Sequence, residues 1–257
     1  MDNLHQLTPA LKRLRLSGML ATLEGRNQQA LAEKWSYVEF LARLMQDEVE
    51  RRGQKQLDLR LRRSGLNTTK TLESFDFNFN PSINRAQIRD LATGLFIQQH
   101  RNFLLCGPTG TGKSHLAQAV GLSACRIGYE VLFVNAHKML QHIHAGRADE
   151  TQARRMRQYL KPDLLIIDDF GLKPLVGLMP QDLYDLINER YERKSILLTS
   201  NRAPAEWYGL FGDPLLASAG LDRLAHDAHV VFLEGESYRS QDRRRLMQQE
   251  VPPEKTA

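Results

Sequence analysis

The sequence predicts an α/β fold: a parallel sheet flanked by helices, preceded by a small all-helical N-terminal domain. Three observations predict it. From Asn102 onward, short apolar runs alternate with helical segments. Those runs show little polar alternation, the pattern of strands buried on both faces. A glycine-rich stretch, GPTGTGKS at residues 107–114, lies between the first such strand and the helix after it. The chain of 257 residues suffices for one good core plus an appendage.

The first hundred residues read as helical. Leu4, Leu7, Leu11 and Leu14 recur at spacings of three and four, and Met19, Leu20 and Leu23 extend the stripe beyond Gly18. A second helix opens at Ser36, where Ser36 and Glu39 have capping-box spacing. Leu41, Leu44, Met45 and Val49 then line one face, either a bundle core or a surface for a partner helix. In RRGQKQLDLRLRRSGL, residues 51–66, Arg51, Arg52, Lys55, Arg60, Arg62 and Arg63 stand against one acid, Asp58. Such a segment meets phosphates, an acidic protein face or water. In TLESFDFNFNPS, Phe75, Phe77 and Phe79 alternate with polar residues, an extended two-residue period that Pro81 stops. Alternating aromatics stack on single-stranded bases. Glu73 and Asp76 would repel phosphate, so docking on the following domain is the expected role. The helix INRAQIRDLA leads to Gly94.

The later elements follow in order. NFLLC is a strand, KSHLAQAVGLSACRIG a helix closed by Gly128, and EVLFVN, DLLIIDD and SILLTSN further strands. PQDLYDLINERYER is a helix between the last two, and HVVFL near residue 229 a late strand. The expected division is residues 1–70 as a helical partner-binding domain and 71–101 as a linker with a lead-in helix. Residues 102–246 form the α/β domain and 247–257 a flexible tail.

The glycine stretch matches G-x-x-x-x-G-K-[ST] in full. Gly107, Gly110 and Gly112 let the backbone turn consecutive N–H groups inward, and Pro108, Thr109 and Thr111 complete the loop. The N-terminus of the next helix adds its dipole. Lys113 is placed to reach the β- and γ-phosphates, and Ser114 to ligate Mg²⁺. In LLIIDD, Asp168 suits the Mg²⁺ shell and Asp169 is free to polarise a water. Asn201, at the end of the next strand, either holds that water or caps a turn.

The formal net charge of +5 and sequence pI of about 9.3 suit a polyanionic partner without requiring one. Cys106 and Cys125 form no disulfide framework, and Cys106 reads as a small buried hydrophobe. No apolar run approaches the roughly 20 residues that span a bilayer, and the N-terminus lacks a secretory h-region. A cytoplasmic protein with no membrane contact is expected. His137, His142 and His144 lack neighbouring carboxylates or thiols at ligand spacing.

These residues resemble the IstB-type transposition helper ATPases, relatives of the DnaC-type helicase loaders and DnaA-type initiators of the AAA+ class. The likeness covers nearly the whole chain. It includes LRLSGMLATLE, SYVEFLARLMQDEVERR, KTLESFDFNFNPSINRAQI, GPTGTGKSHLA, PDLLIIDDFGL and GLDRLAHDAHVVFLEGESYR. The resemblance implies a P-loop AAA+ ATPase with ATP and Mg²⁺ as cofactors. Lys113 and Ser114 then belong to Walker A, Asp168 and Asp169 to Walker B, and Asn201 to sensor 1. Asp169 stands where many relatives carry glutamate. Arg223, in GLDRL, aligns with an arginine finger that completes a neighbouring subunit's site, and Arg239, in SYR, with a sensor 2-like arginine. The stretch between the strands ending near 135 and starting near 163 matches an insertion that lines a DNA channel in the initiator branch. Its Arg147, Arg154, Arg155, Arg157 and Lys161 are implied phosphate contacts. The implied function is an ATP-dependent helper of an insertion sequence. It would assemble as an oligomer on duplex DNA, deform it, and recruit a transposase through the N-terminal domain. A helicase loader, a small-molecule kinase and a nucleotide-gated scaffold are the competing classes. The kinase lacks an evident acceptor lid and leaves Arg223 without a role.

Overall fold

The computed structural model describes residues 2–81, 83–238 and 240. The chain divides into two compact units on either side of the Leu59–Arg60 bond.

The first unit holds α1 (Asp2–Arg13), α2 (Ser17–Glu33) and most of α3 (Tyr37–Ser64). The leucine stripe does not continue as one helix through Gly18. Arg15 takes a φ of +57°, and α2 starts afresh at Ser17. The start of α2 is secured from α3: the Glu48 carboxylate accepts from the Gly18 N–H (2.5 Å) and the Met19 N–H (3.3 Å), and pairs with Arg52 (2.7 Å). A carboxylate at a helix N-terminus satisfies orphan donors and complements the dipole. Arg26 grips Asp47 through two hydrogen bonds of 2.9 and 2.7 Å, and the Asp47 carboxyl is held down to about 2, first by that bond. Met19, Leu23 and Leu44 form a small core.

Only half of the expected capping box forms. Ser36 Oγ accepts from the Glu39 N–H at 3.2 Å, while Glu39 pairs with Arg43 one turn on. Leu44 alone of the expected stripe is buried; Leu41, Met45 and Val49 are exposed, so that face is not bundle core.

The second unit runs from the end of α3 through α4 (Arg85–Ala92) and α5 (Leu95–Gln98) into the sheet. Asn84 caps α4 by accepting from the Ala86 and Gln87 N–H groups. The strands are β1 (Phe103–Cys106), β2 (Val131–Asn135), β3 (Leu164–Phe170), β4 (Ser195–Ser200) and β5 (His229–Phe232). All pair in parallel, in the order β2-β3-β4-β1-β5. The helices are α6 (Lys113–Ile127), α7 (Ala136–Ala145), α8 (Gln152–Leu160), α9 (Met179–Arg190) and α10 (Pro214–Ala225). Each expected strand and helix of this region is present.

The strands are buried on both faces, as their apolar runs require. Leu104, Cys106, Leu165, Ile167, Ile196 and Leu198 join the core with residues of α7, α8, α9 and α10. Ile166, with opposite parity, lies against Gly121 of α6. Cys106 and Cys125 are buried, and desolvation lifts each thiol to about 11. Arg190 is a buried cation that sequence patterning misses. Its guanidinium donates to the carbonyls of Tyr159, Leu160, Pro162, Asp163 and Ser195, and burial lowers it to about 9. It joins the end of α8 to the starts of β3 and β4. Among the described residues, no helix is long and apolar enough to cross a membrane.

The tight α2–α3 approach gives a stability prediction. A Cβ on Gly18 would lie 2.6 Å from Glu48 Cα, which is backbone and cannot swing away. Gly18→Ala is expected to destabilise the first unit by about 1–3 kcal/mol. Thermal unfolding followed by circular dichroism checks it, and an unchanged midpoint contradicts this packing.

Candidate functional site

The loop between β1 and α6 sits at the carboxyl edge of the sheet, with β1 between β4 and β5. This is where open parallel sheets place ligands. The loop leaves β1 at Gly107, whose N–H donates to Ser200 O of β4 (3.1 Å). Gly110 and Gly112 have φ of +87° and +99°, conformations that L side chains rarely adopt. Space forbids a side chain there as well. A Cβ on Gly110 would meet Ser237 Oγ at 2.1 Å, and one on Gly112 would meet the Phe75 ring at 2.6 Å. The Lys113 ammonium is folded onto the carbonyls of Gly107 (2.8 Å) and Pro108 (2.7 Å). Thr111 Oγ1 also donates to Pro108 O (2.9 Å).

The two acids owe their placement to a break in register. Ile167 pairs with Leu198 and Phe170 with Ser200, so Asp168 and Asp169 face the single residue Thr199. This two-against-one arrangement is a β-bulge, a device that re-aims side chains next to sites. Asp169 takes a φ of +58°, strained for a residue with a Cβ. Thr199 stitches the bulge: its hydroxyl donates to Asp168 Oδ1 (2.5 Å) and accepts from the Asp169 N–H (3.0 Å). Asn135, at the end of β2, donates to Asp169 Oδ2 at 3.4 Å while its Oδ1 caps α7. Ser200 Oγ donates to Phe170 O and accepts from the buried Trp207 indole, fixing the chain that carries Asn201.

Thr109 to Ser114, Asp168, Asp169 and Asn201 line one cavity of about 720 Å³. Segment 70–79 also lines it, contributing Lys70, Ser74, Phe75, Asp76 and Phe79. The expected extended run of Phe75, Phe77 and Phe79 is instead a chain of turns. Asp76 accepts from the Asn78 and Phe79 N–H groups, and Ser74 bonds to Thr71, so side chains replace strand pairing. The expected docking on the α/β domain is what the rings do. Phe75 packs edge-on against His115 (5.2 Å) and Phe77 (4.8 Å), and Phe79 against Tyr238 (4.9 Å). His115, the residue after Ser114, bonds to Thr71 O at 2.9 Å, and burial lowers its basicity. The chain after β5 closes the other side, with the Tyr238 N–H donating to Gly110 O (3.1 Å) and Asn80 Nδ2 to Glu234 O (2.5 Å).

The remaining site residues separate. Arg223 lies in the last turn of α10, donating to Ala219 O (2.8 Å) and resting over the Tyr184 ring; it does not line the cavity. Arg239 and residues 247–257 lie outside the described residues. Of the five basic residues around α8, Arg154, Arg157 and Lys161 are exposed. Arg147 is held by the fully buried Asp182 (2.6 Å), which ties the turn after α7 to α9, and Arg155 by Asp149, Thr151 and His142 O, the last tying α8 to α7. Sequence reasoning missed Thr199, Asn135, His115 and Ser237. Each acts through a contact distant in the chain; the quoted motifs GPTGTGKSHLA and GESYR contain His115 and Ser237 without indicating their contacts.

Thr199→Val tests the bulge. It keeps the shape but removes the hydroxyl that donates to Asp168 Oδ1 and accepts from the Asp169 N–H. A loss of about 1–3 kcal/mol is expected, measurable by urea unfolding; unaltered stability contradicts the described role of the hydroxyl.

The comparisons with known proteins agree with this geometry. The model of the family described as IstB-like ATP binding protein matches residues 9–246. An insertion-sequence ATP-binding protein of Mycobacterium tuberculosis is 41% identical over 238 residues, covering 92% of this chain and 95% of the relative. The insertion sequence IS21 ATP-binding protein of Pseudomonas aeruginosa is 36% identical over 242 residues, covering 94% and 91%. Among solved structures, the replication initiator DnaA bound to AMPPCP and single-stranded DNA has a TM-score of 0.56 at 25% identity. The match covers 75% of this chain and 59% of DnaA. With a full phosphate-loop motif, paired acids on a bulged β3 and a family match across both units, this chain belongs to the IstB-like ATP binding protein family.

Proposed function

We propose that this protein is an ATP-driven, DNA-binding helper of an insertion sequence. It binds ATP with Mg²⁺ and hydrolyses it to ADP and phosphate. It assembles as an oligomer on duplex DNA, deforms the duplex, and recruits and activates a transposase through residues 1–70. A cytoplasmic location accompanies this role. The observation that carries the reading is the cavity that joins the glycine loop to Asp168, Asp169 and Asn201. The names of the relatives, ATP-binding proteins of insertion sequences, support the setting.

The residues suit the chemistry. The loop's inward backbone and the α6 N-terminus favour a phosphate chain, and Lys113 supplies a cation there. The Ser114 hydroxyl and the Asp168 carboxylate line the same cavity, a set of hard oxygen donors that fits Mg²⁺. Mg²⁺ held by these two would neutralise charge on the outer phosphate oxygens. Asp169, turned by the bulge, orients a water and takes its proton, and the Asn201 amide holds that water against the terminal phosphate. Arg223, away from its own subunit's cavity, stabilises developing charge in a neighbour's site. Arg154, Arg157 and Lys161 meet DNA phosphates without reading sequence, and Arg147 and Arg155 hold the helices that carry them.

Light scattering after size exclusion, with duplex DNA and with or without ATP, tests the assembly. A large particle that needs ATP is expected for the wild type and is absent for Lys113→Ala; a monomer indifferent to both ligands contradicts the reading. Asp169→Asn is expected to retain ATP binding and slow hydrolysis by about 10²–10⁴-fold. Mixing inactive Asp169→Asn with inactive Arg223→Ala should recover hydrolysis, because mixed neighbours pair an intact acid with an intact arginine. No recovery would place Arg223 outside any shared site.

A further inference from the structure

The first unit brings together two basic segments that are far apart in the chain. Lys12 and Arg13 close α1, and Arg15 lies in the turn that leads to α2. Arg51, Arg52 and Lys55 lie on α3. Three contacts hold these stretches together. The Arg52 guanidinium donates to Arg15 O (3.4 Å), and the Lys55 ammonium to Ser17 Oγ (3.2 Å). Glu48, one turn before Arg52, accepts from the Gly18 and Met19 N–H groups. All of these cations are exposed. Arg60, Arg62 and Arg63 fall in the second unit and are no part of the cluster.

Nearby acids do not balance this charge. Glu48 is 7% exposed and spends one oxygen on the α2 backbone and the other on Arg52. Glu50 accepts from Gln46, and Asp58 from Gln54. Among the described residues, Lys12, Arg13, Arg15, Arg51 and Lys55 form no ion pair.

The character of α3 changes at this point. Before residue 51, a spacing of four sets a charge beside an opposite or neutral partner, Glu39 with Arg43 and Gln46 with Glu50. At Arg51 and Lys55 the same spacing sets cation beside cation, which opposes the helix. An external polyanion relieves that repulsion. The exposed apolar residues Leu41, Met45 and Val49, which suit a protein partner, end where the basic stretch begins. Clustered exposed cations on one face are the electrostatic footprint of nucleic-acid binding.

We propose that Lys12, Arg13, Arg15, Arg51 and Lys55 form a second DNA surface, which meets the phosphates of a duplex without reading its sequence. Arg52, tied to Glu48 and to Arg15 O, sets the two segments against each other. This rests on the DNA-binding reading above and adds a contact surface in the unit to which that reading gives only the transposase.

Fluorescence anisotropy of a labelled duplex of arbitrary sequence tests it, with the full chain, Mg²⁺ and ATP over a series of KCl concentrations. The variant Arg13→Gln/Arg15→Gln/Arg51→Gln removes three charges whose side chains hold no described partner, so its circular dichroism should match the wild type. The slope of log affinity against log salt is expected to become shallower by about 2–3, near 0.9 for each lost phosphate contact. Each single change is expected to take about 1 from the slope, so the test does not depend on the triple variant alone. Lysine at the same three positions should keep the wild-type slope, because the contact needs charge. A glutamine variant with wild-type slope and affinity overturns the proposal and leaves the cluster to an acidic protein face. Equal losses from the glutamine and lysine variants also overturn it, since they would mark packing rather than charge. Arg154→Gln/Arg157→Gln separates this surface from the reading beneath it. A wild type that binds no duplex sinks the DNA reading and this surface with it. A wild type that binds, with a loss confined to the α8 variant, keeps the DNA reading and refutes this surface alone.

Discussion

The constraint on which the site depends is the absence of side-chain volume along the glycine loop. Gly107, Gly110 and Gly112 lie under Leu233, Ser237 and Phe75, which come from chain segments far apart in sequence. The loop is therefore pressed between two walls as well as shaped by its own dihedrals. A Cβ at Gly112 would displace the Phe75 ring, which lines the cavity. Backbone hydrogen bonds from Gly107 to Ser200 and from Tyr238 to Gly110 tie the loop to the end of β4 and to the chain after β5. The sheet order makes this possible, because β1 lies between β4 and β5 and both neighbours end beside the loop.

The acids are placed by a second constraint of the same kind. A regular β3 would alternate Asp168 and Asp169 across the sheet. The bulge sets both against Thr199, and one hydroxyl serves as donor to one acid and acceptor for the backbone of the other. The positive φ of Asp169 is the strain that accompanies this arrangement, and such strain concentrates at functional sites. Asn135 extends the network to the start of α7. Arg155 ties α8 to α7 through His142 O, and Arg147 ties the turn after α7 to Asp182 of α9.

Much of this was legible in the sequence because it is local. Unbroken apolar runs in NFLLC, LLIIDD and SILLTS give strands buried on both faces, and the loop motif needs only eight consecutive residues. What escaped the sequence depends on long-range contacts. The aromatic alternation at Phe75, Phe77 and Phe79 has a strand's period, yet Ser74 and Asp76 satisfy the backbone locally, and Phe75 turns onto His115 while Phe79 turns onto Tyr238. The apolar face of Leu41, Met45 and Val49 has a core's period but stays exposed, since Leu44 and the Glu48 cap take the packed side. Arg147 and Arg155 look alike among the charges of their stretch; only the fold pairs Arg147 with the distant, buried Asp182 and Arg155 with Asp149.

The central requirement is that the loop and its two walls form one nucleotide-binding unit. Hydrogen–deuterium exchange of the full chain, with and without ATP and Mg²⁺, measures this directly. The expected result is joint protection of the amides in residues 70–79, 107–114 and 233–238. Protection confined to residues 107–114, or no protection in any of the three, would contradict it.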